Sequence, residues 1–170
     1  MLDEDYFQEL RGQNFQIEYK TKKNGRIKKY EPDLIMLNND DYIVIVEVKP
    51  LYNIPTYENK CKYKALKKLC ERNGYLYCMC DDEYRTIDDL EDYEIDTNIE
   101  CVVANQLEDY GVFDYDGYQA LIKEYGWDQA DYIKENIAAI VVQDNLHFSK
   151  GDLAGGLPRL KIFRKSTSKI

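Results

Sequence analysis

Residues 30–50, YEPDLIMLNNDDYIVIVEVKP, constrain the fold of this chain more than any other stretch. Two apolar runs flank a polar turn. Charged side chains close both runs at the same end: Asp33 opens the first, and Glu47 and Lys49 finish the second. Side chains alternate along a strand. Tyr42, Val44, Val46 and Val48 therefore share one face of the second run, and Ile43, Ile45, Glu47 and Lys49 the other. Both faces are apolar, which predicts a central strand covered on both sides. Glu47 and Lys49 thus stand on a face that also carries isoleucines, where a solvated ion pair fits poorly. Asp33 likewise shares its face with Ile35 and Leu37.

A turn centred near residues 39–40 places position 33 opposite 46 or 47, and facing residues of an antiparallel pair lie about 5 Å apart. Pro32 cannot donate to the ladder, so the backbone can splay there and let side chains turn inward. Asp33 and Glu47 then converge, with Lys49 just beyond. Two carboxylates this close in a partly desolvated place repel each other, and a divalent cation relieves the repulsion. Mg²⁺ (or Mn²⁺) is the natural candidate, because it prefers oxygen ligands, often takes one or two carboxylates and keeps several waters. The carbonyl of Val48 is a candidate third ligand. Metal-bound water is a better nucleophile near neutral pH, and Lys49 could orient it or stabilise charge developing on a phosphate. An Asp, a Glu and a Lys so placed describe phosphodiester hydrolysis.

The flanking sequence supplies the other elements. Leu2, Tyr6 and Leu10 recur at helical spacing, so 2–11 reads as a short helix. Phe15, Ile17 and Tyr19 alternate in a strand, Asn24-Gly25 is a hairpin signal, and a second strand covers about 27–37. The third covers about 42–49. A helix is expected over about 56–73, stopped by Asn73-Gly74, and YLYCMC (75–80) is a further strand. Residues 81–100 hold ten acids and one Arg and read as a solvated connection with little regular structure. Beyond it, 116–125 and 128–140 read as helices with Asp116 and Asp128 as N-caps, GDLAGG as a loop, and LPRLKIFRK as a short strand with a basic tail. The expected fold class is α/β: helix, three-stranded antiparallel meander, helix and strand in a mixed sheet, with a mainly helical C-terminal extension. The expected organisation is a core over 1–81, an acidic connection over 82–100 and the extension over 101–170.

Charge decides which partners to consider. The net charge is −9, which by itself argues against nucleic acid. The average hides segments of opposite sign: residues 20–72 hold 13 basic and 7 acidic side chains, and residues 73–156 hold 4 and 20. Lys60, Lys64 and Lys67 follow i, i+4, i+7 and form one helical stripe directly after the charged hairpin, suited to backbone phosphates. Lys20, Lys22, Lys23, Arg26, Lys28 and Lys29 crowd the preceding hairpin, and Arg159, Lys161, Arg164 and Lys165 form a basic tail. The acidic segment would repel nucleic acid and suits a protein partner. A winged-helix reading of 101–165 meets the objection that its expected recognition helix is not basic. No apolar run approaches the roughly 20 residues needed to span a membrane, and the acidic N-terminus lacks the features of a signal peptide. An intracellular, cytoplasmic location is expected. The five cysteines are expected as free thiols, and Cys78-Met79-Cys80 as strand residues, since His147 is the only histidine.

At this point the chain resembles the PD-(D/E)XK nucleases, on Pro32-Asp33, the 13-residue gap, and Glu47-Val48-Lys49. Within that superfamily it resembles phage junction-resolving endonuclease I and the transposon-end-cleaving endonuclease of Tn7-like elements. There an acidic N-terminal helix precedes an "xFEYE"-like strand, "Y-x-PD" and "E-x-K"; here LDEDYFQEL, FQIEYK, YEPDL and VEVKP stand in those places. The resemblance covers about residues 2–81. It implies a restriction-endonuclease-like core, a Mg²⁺- or Mn²⁺-dependent endonuclease acting on DNA, a homodimer, and work on phage or mobile-element DNA. It also implies a further acid from the first helix, Glu4 or, nearly as well, Asp3. The competing expectations are a catalytically inactive nuclease-fold interaction protein, and a nuclease subunit that is active only with a partner.

Overall fold

In the computed structural model, residues 7–9, 15–21, 25–38, 40–154 and 157–164 are described. The chain is mixed α/β and divides into two units. One comprises Met1–Pro50 and Glu58–Thr86, the other Leu51–Tyr57 and Ile87–Ile170.

The first unit is built on a four-stranded mixed sheet in the order β1-β4-β5-β6, with β1 Phe7–Glu9, β4 Leu34–Asn38, β5 Ile43–Val48 and β6 Leu76–Cys80. A separate two-stranded sheet pairs β2 (Ile17–Lys20) with β3 (Ile27–Tyr30). The anticipated strand over 27–37 is therefore two strands. The break falls at Glu31-Pro32-Asp33, where Pro32 has no N–H to continue a ladder. The chain leaves one sheet there and enters another, so the expected three-stranded meander is not continuous. The expected helix over 2–11 fails where it can be compared: 7–9 is a strand, antiparallel to β4 with Glu9 opposite Met36. The outer edge of β4 offers unpaired backbone groups, and pairing there overrides the helical spacing. The remaining residues of that expected helix lie outside the described residues.

The β4–β5 turn is tied by Asn38. Its side-chain oxygen accepts from the amides of Asp40 and Tyr42, and its backbone N–H donates to Tyr42. This sets Leu34 opposite Val46 and Ile35 opposite Ile45. From β5 the chain crosses through α1 (Tyr57–Asn73) into β6, which runs parallel to β5, as a parallel pair requires a crossover. Helix α1 ends as anticipated. Gly74 adopts φ 69° and Tyr75 N–H reaches back to the Cys70 carbonyl, a Schellman closure that favours glycine at that position. Ile45, Ile17, Leu66 and Cys70 form the buried cluster, with Phe15, Tyr30, Ile43, Leu69 and Tyr77 against it. One sheet face is thus covered by α1 and the hairpin. The opposite face is not sealed as anticipated: Val44, Val46 and Val48 are half-buried and Leu76 is 49% exposed.

The second unit holds α2 (Ile87–Glu91), α3 (Thr97–Tyr110), β7 (Val112–Phe113), α4 (Tyr115–Tyr125), α5 (Ala130–Gln143), β8 (His147–Ala154) and β9 (Leu157–Phe163). The strands form a sheet in the order β7-β9-β8. Helix, strand, two helices and a final hairpin follow one another. The core joins Ile99, Val103 and Leu107 of α3 to Phe113, Tyr118, Leu121, Ile133, Ile137, Phe148 and Ile162. Gly117 in α4 serves this packing, because a Cβ there would run into Phe113 and the Gln106 side chain.

Several expectations are corrected here. The stretch 82–100 is not an irregular connection: it divides between the units and carries α2 and the start of α3. Helix α4 is capped by Asp114 rather than Asp116, and α5 starts at Ala130 after a 3₁₀ turn over Trp127–Gln129, without Asp128 as its cap. Residues 151–154 of GDLAGG belong to β8, which is irregular between Lys150 and Leu153. The cysteines are free thiols.

Asp96 organises the second unit. It accepts from the amides of Asn98 and Ile99 and from the hydroxyls of Tyr125 and Tyr132, while its own N–H donates to the buried Asn136. Desolvation opposes its charge, but these hydrogen bonds outweigh it and hold the carboxyl below its usual range. Asp96→Ala is expected to lower stability by about 1 kcal/mol, the usual worth of an N-cap, measured by urea unfolding. Because the folded pKa is depressed, the contribution is present above the unfolded value and lost as pH falls below about 4. The difference between wild type and variant should shrink there.

Candidate metal and phosphodiester site

Asp33 lies at the bend that enters β4, Glu47 near the end of β5, and Lys49 just past it. The β4–β5 register, extended by one residue beyond Leu34–Val46, sets Asp33 across from Glu47. Asp33 Oδ2 accepts from the Val48 N–H at 2.8 Å and from Lys49 Nζ at 2.8 Å. Lys49 Nζ also lies 2.8 Å from Glu47 Oε1 and donates to the Val48 carbonyl at 2.8 Å. An ammonium has three N–H donors, and here all three are spent: on Asp33, Glu47 and the Val48 carbonyl. These are the same three groups that the sequence proposes as metal ligands.

Burial differs sharply within the trio. The Asp33 side chain is 43% exposed, that of Lys49 23%, and Glu47 only 1%. A carboxylate this buried must be compensated. Lys49 compensates Oε1, but Glu47 Oε2 is buried without a hydrogen-bond partner among the described residues. Such an orphaned acceptor costs about 1–3 kcal/mol and calls for a water or an ion beside it. Desolvation works against the charge on Lys49, yet the hydrogen bonds to Asp33 and Glu47 outweigh it and raise the ammonium's pKa.

A divalent ion therefore suits the donor set, which combines two carboxylates, one with an unpaired buried oxygen, and a backbone carbonyl. Among the described residues, however, no group of three or more Asp, Glu, His or Cys side chains converges as a metal site. A third acid would have to come from elsewhere. Glu4 and Asp3, the candidates named for it, lie outside the described residues.

Lys64 and Lys67 are exposed on α1, and Lys60 is half-buried. Lys67 stands 4.0 Å from Glu71, a weak surface pair. The hairpin cations are partly neutralised, Lys28 by Glu58 and Lys29 by Glu18. Lys22, Lys23 and Lys165 lie outside the described residues. Sequence reading passed over Tyr30, a half-buried ring whose buried hydroxyl has no partner among the described residues, and Lys62, whose ammonium lies 5.2 Å from the centre of the Tyr30 ring. Tyr30 is part of the quoted YEPD signature, but nothing in its spacing shows which way the ring turns.

No family model, curated protein or solved structure matches this chain.

Lys49→Ala is expected to cost about 3 kcal/mol, because it strands Glu47 as an uncompensated buried charge. Asp33→Asn should cost about 1 kcal/mol or less, because Asp33 is partly solvated. Urea unfolding of both variants in chelator checks the order. The raised pKa of Lys49 has a further consequence. Its stabilisation is complete below the unfolded lysine value and is lost as pH rises through the higher folded value, so wild type and Lys49→Ala should converge in stability only in strongly alkaline solution.

Proposed function

We propose that this chain is a Mg²⁺- or Mn²⁺-dependent endonuclease that hydrolyses phosphodiester bonds in DNA. One observation carries the reading: Glu47, sealed from solvent with Oε2 unpartnered among the described residues, shares the ammonium of Lys49 with Asp33. Such an oxygen calls for a water or an ion beside it, and a second carboxylate sharing the same ammonium favours the ion. Asp33, Glu47 and the Val48 carbonyl would hold the ion, which supplies an acidified water and a counter-charge for the phosphate. Lys49, displaced from those oxygens, would be free to donate to a non-bridging phosphate oxygen as negative charge builds on it. The exposed Lys64 and Lys67, with Lys60, would contact the DNA backbone.

The restriction-endonuclease-like core implied by the resemblance is part of this proposal. Supporting it are the antiparallel β4–β5 pair that presents the trio and the parallel β6 reached through α1. A homodimer, and a role in phage or mobile-element DNA processing, follow from the same resemblance. Among the described residues no helix is long and apolar enough to cross a membrane.

A second reading is favoured by a specific observation. The described residues bring only two acids to the site, which suits a subunit whose cleavage needs a partner, or an inactive nuclease-fold protein that binds another protein. The second unit fits protein better than DNA. In winged-helix order α5 would be the reading helix, yet its one cation, Lys134, is engaged by Asp131 at 2.9 Å and lies over the Tyr52 ring.

The test is cleavage of linear, supercoiled, branched and single-stranded DNA with Mg²⁺, Mn²⁺ or chelator. Metal-dependent cleavage is expected, reduced at least about a hundredfold by Asp33→Asn, the scale of losing one group that stabilises developing charge. Cleavage that persists in chelator would refute the mechanism. Activity that appears only with an added partner would favour the second reading.

A further inference from the structure

Among the described residues a second orphan lies on the same side of the sheet as the first. Tyr30 Oη and Glu47 Oε2 are both buried and both lack a hydrogen-bond partner among the described residues. They belong to the same side of the sheet: Tyr30 packs against the cluster containing Ile45, and Glu47 follows Ile45 by two residues on that strand face. The charge of Glu47 is felt at the Tyr30 hydroxyl. Desolvation is the chief reason that the Tyr30 hydroxyl resists ionisation, and the charge of Glu47 is the next, with Asp33 also contributing. A phenol is a donor and a carboxylate is an acceptor, so these two groups are chemically complementary. Each is left unmatched because neither reaches the other directly.

The ring of Tyr30 is held from three sides, which leaves the hydroxyl little freedom to look elsewhere. Tyr19 meets it edge-on, with ring centroids 5.6 Å apart. The Lys62 ammonium lies 5.2 Å from its centroid. The apolar cluster receives its body. Tyr19 itself has its hydroxyl committed to Glu58 at 2.6 Å. The two tyrosines therefore share one aromatic contact, but the Tyr19 hydroxyl has a hydrogen-bond partner and the Tyr30 hydroxyl has none among the described residues.

We propose that Tyr30 is a positioning residue for the Glu47 carboxylate, its hydroxyl and Glu47 Oε2 sharing one bound water that holds the carboxylate in place to receive a divalent ion. A buried water needs about two to four polar partners, and these two groups supply a donor and an acceptor. The role is that of the outer groups around metal sites, which orient a ligand without touching the ion and whose loss commonly weakens metal binding about 10–100-fold. The inference rests on the metal-site reading above, and its test separates the two.

Mn²⁺ binding to the purified full-length protein, followed by electron paramagnetic resonance of the free ion, is compared for wild type, Tyr30→Phe, Tyr19→Phe and Glu47→Gln, with the melting temperature of each measured in chelator. Tyr30→Phe keeps the ring and removes only the oxygen, so its melting temperature should match or exceed that of wild type. Its Mn²⁺ affinity should fall about tenfold, while Tyr19→Phe should bind as wild type does. Equal affinity in Tyr30→Phe and wild type, with Glu47→Gln impaired, would overturn the role of Tyr30 and leave the metal site standing. Equal losses in Tyr30→Phe and Tyr19→Phe would assign the effect to aromatic packing and likewise overturn it. Wild type and Glu47→Gln binding Mn²⁺ alike, or neither binding it, would overturn the site and the inference together.

Discussion

A negative charge buried in a sheet is the constraint around which the first unit is arranged. Glu47 stands on the same strand face as Ile43 and Ile45 and is almost fully removed from water. Its tolerance depends on Lys49, whose ammonium reaches back along the strand to Oε1 and simultaneously engages Asp33 and the Val48 carbonyl. Replacing such a group by a hydrocarbon would often be neutral or better for folding, so stability alone does not account for its presence. The unpaired Oε2 sharpens the point, because it is an electrostatic demand that the described protein groups do not meet.

Backbone features some distance from the charges place them. Asn38 ties the β4–β5 turn with both its side chain and its main chain, and thereby sets the register. A slip of one residue would turn Glu47 to the other face and separate it from Asp33. At the opposite end, Pro32 ends one sheet and starts another. Tyr30 consequently ends the β2–β3 hairpin while Asp33, three residues on, lies at the bend that enters the main sheet.

The second unit shows the same physics in a milder form. Its acidic sequence is not a solvated tether, because the acids alternate with a buried stripe. Ile99, Val103 and Leu107 recur every four residues along α3, with exposed polar side chains between them. Asp96 and Gly111 bound that helix, and both were readable as start and stop signals. A density of ten acids over 81–100 obscured them. Charge on the outer face of a helix is compatible with an apolar inner face, so net charge was a poor guide to order.

Local chemistry made much of the chain legible in sequence. The end of α1 at Gly74 and the pairing of Asp33 with Glu47 both followed from interactions spanning a few residues: a glycine stop, and a turn linking two adjacent strands. The strand at 7–9, the division of 27–37 into two sheets, and the half-open second face of β5 did not follow. Each depends on which distant segment supplies hydrogen-bond partners or cover, and a strand pattern does not name its neighbour. The sequence alone therefore determined that two acids and a lysine meet at one end of a hairpin. Only the tertiary structure decided that Glu47 is the sealed member, that Lys49 divides its donors among Asp33, Glu47 and the Val48 carbonyl, and that the Tyr30 hydroxyl is buried, because burial is a property of what packs against a residue and not of the residue itself.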